Sequence, residues 1–189
     1  MTGSKINGLN DSELWNRFKN GDESAFVQIF KTHYRDTLRY GLKFHKDKTL
    51  VEDCIQDLFI ELWKNKENQT IIEQIKPYLF TCIRRKIIKE TTKDSNLKKL
   101  FANIIPQDYA FEVSFSPENQ LITSEINSIE IAQMQALLNK LPPRQKEVLY
   151  LLFYQDMSYE DIATVMQMNY QSARNLVHRA LKLLRTKMM

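Results

Sequence analysis

The feature that most constrains the fold is the pattern of residues 170–187, which separates apolar from polar side chains at helical spacing. The apolar set recurs every three or four residues and consists of Ala173, Leu176, Val177, Ala180, Leu181 and Leu184. The polar set falls between them and consists of Gln171, Ser172, Arg174, Asn175, His178, Arg179 and Lys182. This division predicts an amphipathic helix whose apolar face packs on another helix.

A shorter helix is predicted directly before it. Ser158 is a suitable N-cap, and Asp161, three residues later, is its capping partner. Ala163 is small, which lets a following helix pack closely, and Asn169 can cap the final helix. A capped helix, a short turn and an amphipathic last helix, in this order, are typical of a helix-turn-helix, whose last helix enters the major groove of DNA.

The outer face of the last helix carries residue types that suit DNA. Arginine can bond guanine with two hydrogen bonds, asparagine or glutamine can do so with adenine, and lysine binds phosphates. An ordinary solvated basic face is the alternative interpretation. The ordered helix-turn-helix signals before this face favour DNA binding.

The rest of the chain also has helical patterns. Only 4 Gly and 5 Pro occur among 189 residues, which disfavours a many-turned β-fold. Caps and periodic apolar residues predict four helices in the N-terminal half, and Ser116-Pro117 predicts a further helix start. We therefore predict an all-α protein with two small helical domains, residues 10–94 and 117–189, joined by a flexible acidic linker, residues 95–116. The second domain is the helix-turn-helix.

Charge is unevenly distributed along the chain. Residues 74–99 hold eight basic and two acidic side chains, and residues 174–189 hold five basic and no acidic ones. Residues 100–130 between them hold five acids and no lysine or arginine. Two basic zones separated by an acidic one suggest two contacts with a polyanion, although charge alone equally allows ordinary solvated faces.

Several classes of function are disfavoured. Cys54, Cys82 and the three histidines lack the spacing of metal ligands, and no glycine-rich phosphate loop or GxSxG motif occurs. We therefore expect no metal, no cofactor, no small-molecule substrate and no catalysis. The sequence contains no apolar run of the ~18–20 residues that would span a bilayer, and no apolar signal core. We expect a cytoplasmic protein with reduced thiols and no membrane insertion.

Motifs in both halves resemble one known family. In the C-terminal half they are Leu141-Pro142, the segment Ser158-Tyr-Glu-Asp-Ile-Ala163 and the segment Arg174-Asn-Leu-Val-His-Arg-Ala-Leu181. In the N-terminal half they are Phe26-x-x-Ile-Phe30-x-x-x-Tyr34, Glu52-Asp53-x-x-Gln56-Asp57-x-Phe59-x-x-x-Trp63 and Pro77-Tyr78-Leu79-Phe80 with Ile83-Arg84. Together, in this order, they resemble regions 4 and 2 of the extracytoplasmic-function (ECF) sigma factors of the sigma-70 family.

The resemblance implies an alternative sigma factor that binds core RNA polymerase and directs it to promoters. The implied partners are the polymerase β′ coiled coil and β flap, promoter DNA, and an anti-sigma factor. The implied polymerase-binding residues are Asp53, Gln56, Asp57, Ile60 and Glu61. The implied −10 residues are Lys64, Asn65, Asn68, Arg84, Arg85, Lys86 and Lys89. The polar set of the last helix, from Gln171 to Lys182, is expected to read the −35 element.

The resemblance also implies roles for two segments between the main motifs. Residues 64–69 match the place where the family captures an extruded −10 base, and Tyr78 and Phe80 are expected in the core. The acidic stretch of residues 100–130 resembles a segment that threads the nucleic-acid channel of polymerase in this family, although it could equally be a soluble, repelling spacer.

Two residues depart from the family pattern. Gln167 stands where glycine is common, so the turn is expected to be wider or differently shaped, and Arg85 stands where asparagine is common. The rival function is a helix-turn-helix regulator that binds DNA without polymerase and whose N-terminal half senses or dimerises.

Overall fold

The computed structural model describes residues 9–92, 109–113 and 125–188. All regular secondary structure within these ranges is helical, which confirms the predicted all-α class. The chain divides into two compact units, residues 1–105 and residues 106–189. Each unit has its own buried apolar core.

The described residues of unit 1 form four α-helices and one 3₁₀ turn. In chain order they are α1 (Asp11–Lys19), α2 (Glu23–Gly41), α3 (Lys48–Lys64), the 3₁₀ turn Lys66–Asn68 and α4 (Ile75–Thr91). The predicted capping box at Asn10 and the predicted cap at Asp22 both form. Gly21 ends the first helix with φ +85, a conformation that glycine adopts without strain.

Helices α2, α3 and α4 pack closely around the core of unit 1. A Cβ added at Gly41 of α2 would lie 2.6 Å from Cγ1 of Val51 in α3, so only glycine allows this approach. Tyr40 of α2 stacks on Phe80 of α4, with ring centroids 4.4 Å apart and planes at 7°. The expectation that Phe80 is a core residue is confirmed.

Unit 2 contains four α-helices among its described residues. They are α5 (Glu125–Asn139), α6 (Pro143–Phe153), α7 (Tyr159–Met166) and α8 (Tyr170–Met188). The predicted helix start at Ser116-Pro117 lies outside the described residues. Helix α6 buries Val148 and Leu149, whereas its last residue, Phe153, is 65% exposed.

An extended segment of unit 2, residues 109–113, packs against helices of the same unit, and we call it the strap. Phe111 and Val113 are buried while Ala110 and Glu112 are exposed, so alternate side chains face the unit. Phe111 meets the ring of Tyr150 in α6 at 5.8 Å. The sequence pattern predicts these residues to belong to the flexible linker of residues 95–116.

Two further observations concern the described parts of the chain. Cys54 and Cys82 are both free thiols. None of the helices described combines the length and the apolar character needed to cross a membrane.

Candidate protein and nucleic-acid interfaces

Helix α8 separates its two faces largely as its sequence predicts. Ala173, Leu176, Val177 and Ala180 are buried, whereas Leu181, which was expected on the inner face, is 42% exposed. The polar residues predicted to face DNA are exposed except for Ser172, which is half-buried; the exposed ones are Gln171, Arg174, Asn175, His178, Arg179 and Lys182. A continuous polar and basic surface therefore follows one side of this helix.

The turn before α8 is built by side-chain caps and one left-handed residue. Ser158 and Asp161 form the predicted capping box of α7, and Asn169 accepts a hydrogen bond of 2.7 Å from the backbone N–H of Ser172. Gln167 adopts φ 54 and ψ 54, the left-handed conformation that glycine would take. The expectation of a wider turn is wrong, because Gln167 itself occupies this conformation.

A mainly apolar groove of about 600 Å³ lies between α2 and α3, and we call it the α2–α3 groove. Its lining includes Phe26, Val27, Phe30, Tyr34, Glu52, Asp53, Gln56, Phe59, Ile60, Trp63 and Lys64. Phe30 is 37% and Ile60 43% exposed, although the pattern of α2 predicts Phe30 to face the core. The groove is thus an apolar surface with acidic and amide groups among its lining residues.

The structure brings only part of the predicted polymerase-binding set to this groove. Asp53, Gln56 and Ile60 line it, whereas Asp57 is exposed on α3 without lining it. The Glu61 carboxylate instead pairs with Nζ of Lys86 on α4 at 2.7 Å. Lys64, predicted for the −10 contact, lies in the groove with Ile60.

A second and smaller cavity, of about 260 Å³, lies between the end of α3, the following loop and α4, and we call it the loop cavity. Its lining consists of Leu58, Glu61, Leu62, Asn65, Gln69, Tyr78, Cys82, Arg85 and Lys86. Asn68, predicted at this place, is exposed in the 3₁₀ turn and does not line the cavity.

Hydrogen bonds shape the wall of the loop cavity. The hydroxyl of Tyr78 donates to Oε1 of Gln69 at 2.8 Å, and Nε2 of Gln69 donates to the carbonyl of Asn65 at 3.3 Å. Tyr78 and Gln69 were not among the predicted site residues. Position 78 is one turn before Cys82 and two turns before Arg85 on α4, and this spacing could have revealed the shared face.

The charges in the loop cavity come from three side chains. Burial raises the pKa of the Tyr78 hydroxyl well above its usual range, and burial also raises the pKa of the Cys82 thiol. Both groups therefore stay protonated near neutral pH. The formal charges among the lining residues are those of Glu61, Arg85 and Lys86, of which two are positive.

The basic residues of α4 do not all face outward. Arg85 and Lys89 are exposed and Lys86 is half-buried, but Arg84 is only 1% exposed. The prediction that Arg84 contacts phosphate is wrong for this structure. Its helical neighbours at positions 80, 87 and 88 are all buried, so residue 84 lies on the core face of α4.

Unit 2 carries an apolar groove of about 330 Å³ beside the strap, and we call it the unit 2 groove. Its lining consists of Val113, Met134, Leu138, Lys146, Leu149, Tyr150, Phe153, Tyr154 and Leu184. Burial lowers the pKa of Lys146, and nearby Glu112 acts in the opposite direction. Beside the groove, the hydroxyl of Tyr109 donates to the carboxyl group of fully buried Glu147, so the strap also covers a buried polar side chain.

Two helical units, one with a helix-turn-helix and the other with an apolar groove beside a basic helix, define a class of DNA-binding regulators that also dock on protein. Comparison with known families and proteins is consistent with this class. The sigma-70 region 2 family matches residues 29–96, and the sigma-70 region 4 family matches residues 131–184.

Two similar proteins are named as sigma factors. RNA polymerase sigma-H factor of Pseudomonas aeruginosa is 26% identical over 182 residues, covering 90% of this chain and 89% of that protein. The ECF sigma factor SigM of Bacillus subtilis is 24% identical over 161 residues, covering 81% of this chain and 88% of that protein.

Solved structures have a similar fold. CnrH, in complex with the cytosolic domain of CnrY, gives a TM-score of 0.60 at 18% identity, with 94% of this chain and 96% of that chain covered. The Bartonella quintana sigma factor RpoE, in complex with the anti-sigma factor NepR, gives 0.57 at 20% identity, with 85% and 94% covered. The chain belongs to the ECF group of the sigma-70 family, and it is an alternative sigma factor that directs transcription initiation.

Proposed function

We propose that this sigma factor divides its work between the two units. Unit 1, with a domain of residues 10–94, binds core polymerase and the −10 element, and unit 2, with a domain of residues 117–189, reads the −35 element. The observation that carries the proposal is helix α8, whose buried inner face leaves a basic outer face from Gln171 to Lys182. A helix held in this way can offer its early outer residues to base edges and its later ones to phosphates.

The α2–α3 groove is the surface we assign to the β′ coiled coil of polymerase. Exposed Phe30 and Ile60 provide apolar contact area, and Asp53 and Gln56 provide polar partners beside it. An apolar groove with polar groups at its edge suits a partner helix. Asp57 can contribute from the same helix, while Glu61 serves the loop cavity through its ion pair with Lys86.

The loop cavity is the site we assign to an extruded −10 base. Asn65, Gln69 and Tyr78 offer donors and acceptors to a base edge, and the positive charges of Arg85 and Lys86 offset the negative charge of the strand. Exposed Lys89 on α4 suits a phosphate contact, with the salt dependence that such contacts bring.

The unit 2 groove is the surface we assign to the β flap of polymerase. Phe153 and Tyr154 are exposed beside it, and its lining is almost entirely apolar. We also propose an anti-sigma partner, because the RpoE structure described above is a complex with an anti-sigma factor. The protein acts by binding rather than by catalysis, in the cytoplasm where polymerase and DNA are found.

Association with core polymerase is the decisive test. Tagged protein mixed with purified core polymerase should form a complex on size exclusion, and Ile60→Arg combined with Gln56→Ala should weaken it by at least tenfold. Ile71→Arg is the matched control, because Ile71 is 72% exposed in unit 1 and does not line the groove. No complex with the unaltered chain would favour the regulator that works without polymerase.

Promoter selection completes the test. The reconstituted holoenzyme, transcribing a library of genomic fragments, should start at sites that share two sequence elements at a fixed spacing. Transcription start sites that share only one sequence element would contradict the two-unit assignment. So would a set of start sites identical to that of core polymerase alone.

A further inference from the structure

Helix α1 is fastened to the segment that frames the loop cavity. The carboxylate of Asp11 accepts a hydrogen bond of 2.8 Å from the backbone N–H of Ile75, the first residue of α4. Helix α4 has no side-chain cap from its own N-cap residue, Gln74. Asp11 therefore satisfies one of the unpaired N–H groups at the start of α4 from 64 residues away.

Trp15 makes a second connection, one helical turn further along α1. Its side chain is 1% exposed, and its indole N–H donates to the carbonyl of Thr70 at 2.9 Å. The same ring meets Tyr78 edge-on at a centroid distance of 5.1 Å. Trp15 thus contacts both the loop after α3 and the first turn of α4.

These contacts reach residues that line the loop cavity. Thr70 follows Gln69 in the chain, and Gln69 and Tyr78 both line the cavity and bond to each other. Asp11 and Trp15 are not lining residues themselves. They can act on a bound group only by fixing where Gln69 and Tyr78 stand.

The cavity is suited to such control because it is small. Its volume of about 260 Å³ is smaller than that of pockets for drug-sized ligands, which hold about 300–1,000 Å³. The cavity therefore fits a group as small as a nucleobase. Groups that select a base by hydrogen bonds must be held to within about 0.5 Å, which requires support from the residues behind them.

We propose that Asp11 and Trp15 are positioning residues that set base selectivity in the loop cavity. This inference rests on the proposed role of that cavity as the site of an extruded −10 base. Helix α1 then contributes to promoter specificity without touching DNA. The contribution is to discrimination between bases rather than to total affinity, since Arg85 and Lys89 are left in place to bind phosphates.

The test measures base selectivity directly. Full-length protein reconstituted with core polymerase is mixed with a pool of single-stranded oligonucleotides carrying six randomised positions, and the bound fraction is sequenced. The unaltered chain should prefer one base at one position. Trp15→Phe, which keeps an aromatic ring and loses the N–H, should reduce that preference about five- to tenfold, as expected when a hydrogen-bonded base contact is loosened. Total bound DNA should change less than twofold.

Two further variants separate positioning from folding. Asp11→Ala should reduce the preference as Trp15→Phe does, and Asp11→Asn should restore it, because the amide retains an oxygen acceptor for the N–H of Ile75. Phe44→Leu is the matched control, because Phe44 is also buried in unit 1, at 4% exposed, its ring meets Tyr40, and it does not line the loop cavity. It should lower the melting temperature and leave the base preference unchanged.

Each outcome decides a specific claim. Unchanged preference in both Trp15→Phe and Asp11→Ala, or an equal loss in Phe44→Leu, would overturn the positioning role while the −10 assignment stands. An unaltered chain that prefers no base at any position would overturn the −10 assignment and the positioning role together.

Discussion

The side chain of Asn139 binds both backbone groups of Val113. Its amide nitrogen donates to the Val113 carbonyl at 3.0 Å, and its amide oxygen accepts from the Val113 N–H at 3.1 Å. One side chain at the end of α5 therefore replaces the ladder partner that an extended segment would have in a sheet. Since Phe111 is buried beside it, the strap belongs to the core of unit 2.

Removing this amide should destabilise unit 2. Asn139→Ala leaves the N–H and C=O of buried Val113 without their protein partner, and leaving such buried groups unpaired costs about 1–3 kcal/mol. Denaturant unfolding followed by circular dichroism measures the change. Glu112→Ala, at an exposed position of the strap, should change the free energy of unfolding by less than about 0.5 kcal/mol. Equal effects in the two variants would show that the strap is not held by Asn139.

Two neighbouring cations of α4 should behave differently. Arg84→Ala removes a fully buried side chain, and we expect a loss of roughly 2–4 kcal/mol in the stability of unit 1 from the cavity and the partners left behind. Lys89→Ala, at an exposed position, should leave the melting temperature almost unchanged. It should reduce the salt dependence of DNA binding by about one phosphate contact.

Fluorescence anisotropy of holoenzyme on promoter DNA, repeated over a series of salt concentrations, measures the second effect. If Arg84→Ala kept the stability of the unaltered protein and reduced the salt dependence of DNA binding, Arg84 would be a phosphate contact after all. A flat salt response of the unaltered protein would reject the role assigned to the basic residues.

Arg174 should read sequence, while Lys182 should not. Arg174 is exposed in the first turns of α8, and Arg174→Ala should cost roughly 1–3 kcal/mol at one position of the −35 element and relax specificity there. Lys182, two turns later, should weaken binding to every sequence alike when changed to alanine. Binding to a set of single-base variants of the promoter separates the two patterns, and a uniform loss for Arg174→Ala would mark it as a phosphate contact.

Replacing Gln167 by glycine should stabilise the helix-turn-helix. A residue with a Cβ at φ 54 costs about 1–2 kcal/mol of local strain, which glycine does not carry. Part of this gain is lost because glycine makes the unfolded chain more flexible, so we expect a net increase of about 0.5–1 kcal/mol in stability. Thermal unfolding of Gln167→Gly beside Gln167→Ala gives the comparison, and a gain in the alanine variant would rule out relief of backbone strain.

Unit 1 should lose stability as pH falls below neutrality. Burial lowers the pKa of His33, and Lys76 adds to this, while Asp11 and Asp36 oppose it. The unfolded chain therefore binds a proton more readily than the folded one. The contribution of neutral His33 to the stability of unit 1 is fully present above the pKa of the unfolded histidine, near 6.5. This contribution is lost as pH falls through the lower pKa of the folded state.

Melting temperatures between pH 7.5 and 5.5 test this prediction. The decline should be shallower in His33→Gln than in the unaltered chain, and His178→Gln, at an exposed position of α8, should follow the unaltered chain. A decline of equal slope in all three would assign the pH dependence to other groups.

Local signals predicted most of the helical framework. The caps at Asn10, Asp22, Ser158 and Asn169 involve side chains that bond within three residues, so their chemistry is complete in the sequence. The exposed face of α8 was also predictable, because the spacing of apolar residues within the helix decides which side chains face outward.

Features that depend on contacts between distant segments were not predictable. Arg84 is basic and adjacent to Arg85, and only the packing of α4 shows that it is buried. The separation of 25 positions between Glu61 and Lys86 hides their ion pair from any local sequence pattern. Phe26, Phe30 and Tyr34 have the spacing of a core stripe, although the gap between α2 and α3 leaves them in a groove.

The strap also has a practical consequence for protein engineering. Because Tyr109, Phe111 and Val113 complete the interior of unit 2, a chimaera that exchanges C-terminal units between two such proteins should be joined before Tyr109. A junction at the start of α5 would take away two buried apolar side chains and leave the carboxyl group of Glu147 without its tyrosine donor. Such a hybrid would carry the whole of helix α8 from its donor and still fold poorly.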